Sequence, residues 1–598
     1  MCGRARRSGP FPRLTLVKCK LGYVWCASVC KYMKYIELFA GCGGLSLGLR
    51  AAGGQMLLAN ELSPMAAETF AYNLLGEDLS ESVQPRLDTS YSQKTKWLSS
   101  RFAADDLSSR LRENPYLYPA VGDGHSDLHE AGLDLEGSLV VGNVRQLNAW
   151  LKTSHNRMAL ERLRDGFGKG NIDLVSGGPP CQSFSMAGMR EYSNSRNVLP
   201  WEFAKFVQLT RPKFALLENV TGILRPFQVA GKQVFAWVEV AKAFAQIGMD
   251  GDEAGVAQGG YVPVCLHVNA KNAGVAQNRT RFIMLAFRRD VYDCLVRQMG
   301  ERDRNLLHSS ENFFAKVRQE QDVTREDLPL HDAAKVPTAF DGTFLESLAK
   351  YRSAPSVKEA IDDLHSQELS PSPYVLRIND LLGRVVQEHP GTCLARDQVA
   401  NHDKRVHRFD VQARFRIYQV LSKLGKFSPH AVAVIKMLRG ELDSLEDDTW
   451  EKIASERFYL TAGAPFYKCQ SKDVFEAFVI ALRTGKRSQR ALVGDDPAPA
   501  ALSIPDDTCH FLESLDGLRT LTVREMARIQ SFPDNFVFRS KTTTGGHKRK
   551  YEVPQYTQVG NAVPPLLGHA LGEIIQALLR QYSQGYEGAR ATVLKKAA

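Results

Sequence analysis

The sequence predicts an α/β protein: a doubly wound, Rossmann-like, mostly parallel sheet with a second, more variable domain. Three observations carry this. A short apolar run at residues 35–39 ends in Ala40-Gly41-Cys42-Gly43-Gly44 and gives way at once to a helical pattern at 45–52, which reads as strand, glycine loop and helix. Strands then alternate with helices. Strands are expected at 55–61, 139–144, 172–176, 214–218, 261–269 and 281–287, with helices at 199–210 and 234–247, an order that implies parallel crossovers. The third observation is the loss of that alternation after about residue 290, where the composition becomes more charged.

These signals divide the 598 residues, too many for one hydrophobic core, into parts. Residues 33–290 are expected to form a catalytic and cofactor-binding domain, interrupted at about 71–137 by a polar surface insertion. Residues 291–518 are read as the second domain, 519–585 as a return to the first, and 586–598 as a tail. Residues 1–32 read as an extension, with Met33 the better start. Their apolar stretch at 14–29 is broken by Lys18 and Lys20, unlike a secretion signal. Cys19, Cys26 and Cys30 lack the fourth ligand of a closed zinc site.

Composition narrows the class. Hydrophobic content of 44% and charged content of 24% are those of an ordinary globular chain. No apolar run approaches the 18 or so residues of a membrane span. Eleven irregularly spaced cysteines do not form a disulfide framework and fit a reducing, cytoplasmic setting. A formal charge of +10 suits a polyanionic partner.

The candidate chemistry lies at strand ends. After the first strand, Phe39, Ala40, Gly41, Gly43 and Gly44 offer backbone N–H groups to a ligand, and Glu61, ending the next strand, is placed to hold ribose hydroxyls. Asn143 stands at a third strand end. The sharper signal is Ser176-Gly177-Gly178-Pro179-Pro180-Cys181, a stiff loop that aims one thiol. An unperturbed thiol is only about 3% thiolate at neutral pH, so Cys181 requires activation by its surroundings. Glu218-Asn219-Val220 brings a carboxyl group to the same sheet edge. Gln277-Asn278-Arg279-Thr280-Arg281 supplies guanidinium donors, and Gln558 begins a Val-Gly-Asn561-Ala-Val563-Pro-Pro segment opening the last helix.

Taken in order, these segments, together with Leu521-Thr522-Val523-Arg524-Glu525 and Arg528-Ile529-Gln530-Ser531-Phe532-Pro533, resemble the DNA (cytosine-5) methyltransferase family, of bacterial modification type, over residues 34–290 and 519–580. The resemblance implies an S-adenosylmethionine-dependent methyltransferase sheet with a variable target-recognition domain at 291–518, acting as a monomer on double-stranded DNA without a membrane. It implies that Cys181 attacks C6 of a flipped cytosine, that Glu218 holds the N3 edge, that Arg281 donates to the O2 side, and that Arg279 supports the loop or a phosphate. Phe39, Ala40, Gly41, Gly43, Gly44, Glu61, Asn143, Pro179, Asn561 and Val563 would contact S-adenosylmethionine. Host-DNA protection beside a restriction nuclease, or epigenetic marking, would be the purpose. An RNA cytosine-5 methyltransferase of the same fold and a catalytically silent DNA-binding protein are the alternatives.

Three positions depart from the family pattern: Glu37 and Asn143 stand where aspartate is usual, and Ala562 where serine is common. For target contacts, residues 404–409 with Arg414, Phe415, Arg416 and Tyr418 interleave cations and aromatics, though a solvated amphipathic helix fits them equally. Residues 541–550 form a second basic candidate.

Overall fold

The computed structural model describes residues 15–19, 22–26, 32–80, 93–128, 135–180, 198–229, 232–249, 259–365, 368–388, 399–425, 428–500 and 508–597. Among them a nine-stranded sheet forms the centre. Its strands, in chain order, are β1 (Met33–Leu38), β2 (Gly54–Glu61), β3 (Thr95–Trp97), β4 (Ser138–Val141), β5 (Leu174–Gly177), β6 (Phe214–Val220), β7 (Tyr261–Asn269), β8 (Thr280–Arg288) and β9 (Leu330–Asp332). Spatially they run β9-β7-β8-β6-β5-β1-β2-β4-β3. Pairing is parallel from β3 through to β6, whereas β8 is antiparallel to both β6 and β7.

The chain winds outward from β1 through β2 to β4, then crosses back to β5 on the other side of β1. That reversal leaves a crevice beyond the carboxyl ends of β1 and β5, where open sheets bind ligands. Apolar side chains fill both faces. The central strands are buried along nearly their whole length, as expected for strands covered by helices on both sides.

Helices α1 (Gly44–Ala51), α2 (Pro64–Phe70), α3 (Val144–Lys152), α4 (Leu199–Thr210) and α5 (Ala236–Gln246) belong to the crossovers, and α6 (Arg289–Val296) and α7 (Glu301–Arg318) follow β8. Beyond α8 (Phe409–Lys423) the chain returns through α9 (Val523–Ile529), α10 (Gln555–Asn561) and α11 (Pro565–Ala597). Among the described residues no single helix is long and apolar enough to cross a membrane.

Two expectations need correction. Residues 71–137 are not wholly a surface insertion, because β3 adds to the sheet edge with Trp97 fully buried. Nor does a separate core begin at 291. Tyr292, Leu295, Phe313 and Phe314 bury against the sheet, β9 pairs with β7, and the first hydrophobic cluster continues to Val386. The second cluster opens at Ala413 and closes at Leu518. Polar sequence concealed both arrangements, since a three-residue edge strand carries too few alternations to register as one.

Helix α11 lies across α1 at close range. A Cβ built on Gly48 would sit 2.3 Å from the Pro565 carbonyl oxygen and 2.4 Å from the His569 nitrogen, both backbone atoms that cannot rotate away. Gly48→Ala should therefore lower stability by about 1–2 kcal/mol despite alanine's better helix propensity. A urea midpoint unchanged or raised in that variant would contradict this contact.

Candidate active site

The first wall of the crevice is backbone. Strand β1 ends at Leu38, and Phe39 takes φ +56°, a left-handed conformation rare for a residue with a side chain. Gly41, also at +56°, has nothing within 4 Å of where a Cβ would stand, so its surface faces open space. Its N–H donates to Glu61 Oε2 at 2.8 Å, while the Ser63 N–H donates to Oε1 at 2.8 Å. Glu61 is thereby locked between two loops and remains partly exposed. Burial of its surroundings raises its pKa.

Behind this loop, Glu37 is 2% exposed and accepts a hydrogen bond from the Ser46 hydroxyl. Burial pushes its pKa up to about 8, and neighbouring Glu61 adds to the rise. Asn143 caps helix α3, its Oδ1 accepting the Arg145 N–H at 2.9 Å. One lone pair of that carbonyl remains for a ligand. The Asn561–Val563 turn closes the crevice from the far end of the sequence. Its fit is tight: a Cβ on Gly44 would meet the Val563 carbonyl at 2.4 Å. Asn561 is exposed and Val563 buried.

The second wall is charged. Arg281 and Glu218, on adjacent antiparallel strands, form an ion pair with Nε and Oε1 2.7 Å apart, each side chain about one-tenth exposed. Arg281 Nη1 also donates to the Thr280 carbonyl at 2.8 Å. The loop after β5 packs onto this pair. Glu218 Oε2 lies 3.0 Å from where a Cβ on Gly178 would stand, so only glycine fits there without displacement. Asn219 Nδ2 donates to the Pro179 carbonyl at 3.1 Å and pins the loop one residue before Pro180, where description of this loop ends. Cys181 lies outside the described residues.

Arg279 differs from its sequence assignment among the catalytic groups. It is 2% exposed, and its Nη2 donates to the carbonyls of Gly560 at 2.9 Å and Ala562 at 3.0 Å. It holds the Asn561 turn in place and is a positioning residue. Burial draws its pKa down, and Arg281 beside it adds to the effect.

The second half of the proposed target-contact stretch needs correction, while Lys404, Val406 and Arg408 in its first half are exposed. Phe415 and Tyr418 belong to the second core. Arg414 donates to the Leu482 carbonyl at 3.3 Å, while Arg416 donates to the Arg457 carbonyl at 2.8 Å and pairs with Glu513 at 2.9 Å. These side chains serve the interior of α8 and its neighbours. The 541–550 loop does stand out in solvent, with His547, Lys548, Arg549 and Lys550 all exposed.

Sequence reasoning assigned no role to two residues that organise the site. Asn219 was visible in the Glu-Asn-Val segment but had no assigned partner. Gln558 accepts from the Thr69 hydroxyl at 2.6 Å and donates to the Met65 carbonyl at 3.1 Å, tying α10 to α2 across nearly 500 residues.

An open, mostly parallel sheet with a glycine-lined crevice and a buried acid–guanidinium pair beyond its strand ends is the framework of an α/β enzyme. The sequence pattern of the C-5 cytosine-specific DNA methylase family matches residues 33–89 and 148–577, and the chain belongs to that family. Its activity is DNA cytosine-5 methylation. The chain is similar to the type II methyltransferase M.DdeI of Desulfomicrobium norvegicum, at 24% identity over 550 residues covering 91% of this chain and 88% of that one. It is also similar to the type II methyltransferase M.AgeI of Thalassovita gelatinovora, at 25% identity over 570 residues, 92% of this chain and all of that one.

Glu37 gives a signed pH dependence. Its folded-state pKa, raised from 4.5 to about 8, means that the native state binds a proton more tightly than the unfolded chain. Its contribution to stability is complete below about pH 4.5 and is lost as pH rises to about 8. Denaturant titrations of Glu37→Gln should show a flatter stability profile across that window than wild type; identical slopes would reject the buried, protonated carboxyl.

Proposed function

We propose that this protein transfers a methyl group from S-adenosylmethionine to C5 of a flipped cytosine in a specific duplex DNA sequence, through a covalent bond between Cys181 and C6. The observation that carries the reading is the docking of the Gly178-Pro179 loop onto Glu218 and Asn219, which brings the segment leading into Cys181 beside the Glu218–Arg281 pair.

The cofactor side fits an adenosine ligand. Glu61 keeps lone pairs for ribose hydroxyls, Gly41 leaves room for close approach, and Asn143 retains an acceptor for an exocyclic amine. Phe39, Ala40, Gly43, Gly44, Pro179, Asn561 and Val563 complete the proposed contacts. When bound, S-adenosylmethionine supplies an electrophilic methyl group.

On the base side, the Cys181 thiolate adds to C6 and the ring's electrons move toward C5. Glu218 holds a proton at the N3 edge and so stabilises the added state, while Arg281 donates to O2. After methylation, loss of the C5 proton to a base regenerates the double bond and expels the thiolate. Flipping the cytosine costs a few kcal/mol of stacking, which protein contacts must offset.

The first core, residues 33–386 with 519–585, would form the catalytic part. Target recognition would be centred on the second core, which opens at Ala413 and closes at Leu518. The protein would act as a monomer in the bacterial cytoplasm, protecting host DNA within a restriction-modification system. The type II relatives support that purpose.

Cys181→Ser should lose methyl transfer by more than about a thousandfold while still retarding duplex DNA in gels. Wild type should become covalently trapped on DNA carrying 5-fluorocytosine. Turnover unchanged in the serine variant would reject the mechanism, and transfer confined to RNA would reject the substrate.

A further inference from the structure

The family pattern matches on either side of residues 90–147 and leaves that stretch unmatched. Yet residues 93–128 are firmly built onto the sheet. Strand β3 extends its edge, and the Leu98 N–H donates to the Val141 carbonyl at 2.9 Å. The segment then folds back on itself. Asp127 accepts the Trp97 N–H at 2.8 Å, and Arg110 donates twice to Asp127, at 2.9 and 2.7 Å, with its guanidinium 5.2 Å from the Trp97 ring.

This fold-back delivers residues 118 and 119 to a particular place. The Tyr118 hydroxyl donates to the carbonyl of Leu62 at 3.3 Å, the residue immediately after Glu61. Gln146 Nε2, three residues beyond Asn143, donates to the Pro119 carbonyl at 3.2 Å. Leu98 closes the base of the same corner: a Cβ on Gly142 would lie 2.6 Å from Leu98 Cβ. Tyr118 thus spans the gap between the ends of β2 and β4 and remains only partly buried. If Glu61 holds a ribose and Asn143 an exocyclic amine, the attached purine occupies that gap.

We propose that the 93–128 segment forms the outer wall of the cofactor cleft at its adenosine end, with the Tyr118 ring packed against the adenine. The inference rests on the S-adenosylmethionine reading above. It assigns a ligand contact to a part of this chain outside the family pattern. Stacking of a base on an aromatic ring is favourable and tolerant of geometry, so removing the ring should weaken binding about tenfold. The hydroxyl contributes one neutral hydrogen bond to a backbone carbonyl, and its loss should matter little by comparison.

The test uses the full chain with S-adenosylhomocysteine and, separately, 5′-methylthioadenosine, measured by calorimetry. Tyr118→Leu, which keeps an apolar side chain but removes the ring, should bind both probes about tenfold more weakly, because the lost contact is on the portion they share. Tyr118→Phe should bind within about threefold of wild type. In turnover, Tyr118→Leu should raise the KM for the methyl donor while leaving kcat and the KM for DNA nearly unchanged. A folded Tyr118→Leu protein with wild-type affinity for both probes, alongside a Glu61→Gln variant that has lost them, would overturn the wall and leave the cofactor reading intact. Wild-type affinity in Glu61→Gln as well would overturn the cofactor reading itself.

Discussion

A guanidinium buried between β8 and the Asn561 turn joins the middle of this sequence to its C-terminal part. Arg279 stands 281 and 283 residues from the carbonyls of Gly560 and Ala562 that it binds, and among the described residues no carboxylate pairs with it directly. Burying such a charge is costly, and backbone carbonyls offset the cost only while the turn keeps its shape. The turn in turn presses Val563 onto Gly44 at the start of α1. One clamp therefore sets the distance between the charged wall, which carries Arg281, and the backbone wall, which carries the glycine loop. Both walls depend on a segment that the chain reaches only after passing through the second core.

The chain's return from that second core is secured by the same physics with opposite charge. Glu525 accepts from Arg519 at 2.9 and 2.8 Å and from the Thr522 N–H at 2.7 Å. Arg519 holds its carboxyl down at about 2, against a burial cost that alone would raise it. His510 packs beside it, burial lowering its pKa to about 3. Together with His365 these groups have the spacing of metal ligands, but His510 Nδ1 accepts the Leu512 N–H at 3.0 Å. The neutral ring therefore carries its proton on Nε2, the nitrogen facing Glu525, and that nitrogen cannot serve as a ligand. The cluster reads as a structural joint. Arg524 completes it by donating to three backbone carbonyls, those of Ala400, Pro533 and Phe536.

The fold was legible where periodicity was strong. The helix expected at 199–210 and the strand at 261–269 have those same bounds in the structure. Glu61 and Glu218 were readable because they end apolar strands, and strand ends in such a sheet face the crevice. Legibility failed where a residue type is ambiguous without its neighbours. Arg279 and Arg281 look alike two positions apart, yet Arg279 precedes β8 and reaches the Asn561 turn, whereas Arg281 lies within β8 beside Glu218, so one is a clamp and the other an ion-pair partner. Arg414, Arg416 and Phe415 read as either a nucleic-acid surface or a solvated amphipathic helix because cations alternate with aromatics. In the structure the same pattern buries rings and satisfies guanidiniums with backbone oxygens. Trp97 lay in sequence too polar to suggest a strand, although its hydrogen bonds continue the sheet.

The departures from the family pattern gather on one side of the site for a physical reason. The wall proposed for the cofactor is made mainly of backbone atoms, so side chains there are free to vary if the backbone keeps its course. Asparagine caps α3 as aspartate would, and its carbonyl still offers an acceptor. Ala562 contributes its carbonyl to Arg279, an interaction indifferent to the side chain. Glu37 reaches the Ser46 hydroxyl from a buried position where the longer acid is accommodated as a neutral group. The charged wall has no such freedom. Glu218 and Arg281 act through their side chains, in a space closed by the Cβ-free face of Gly178, and a shorter acid or a lysine would leave a buried charge without its partner. Variation should therefore be tolerated at the glycine-loop end of the crevice and excluded at the Glu218 end, even though both ends lie on one sheet.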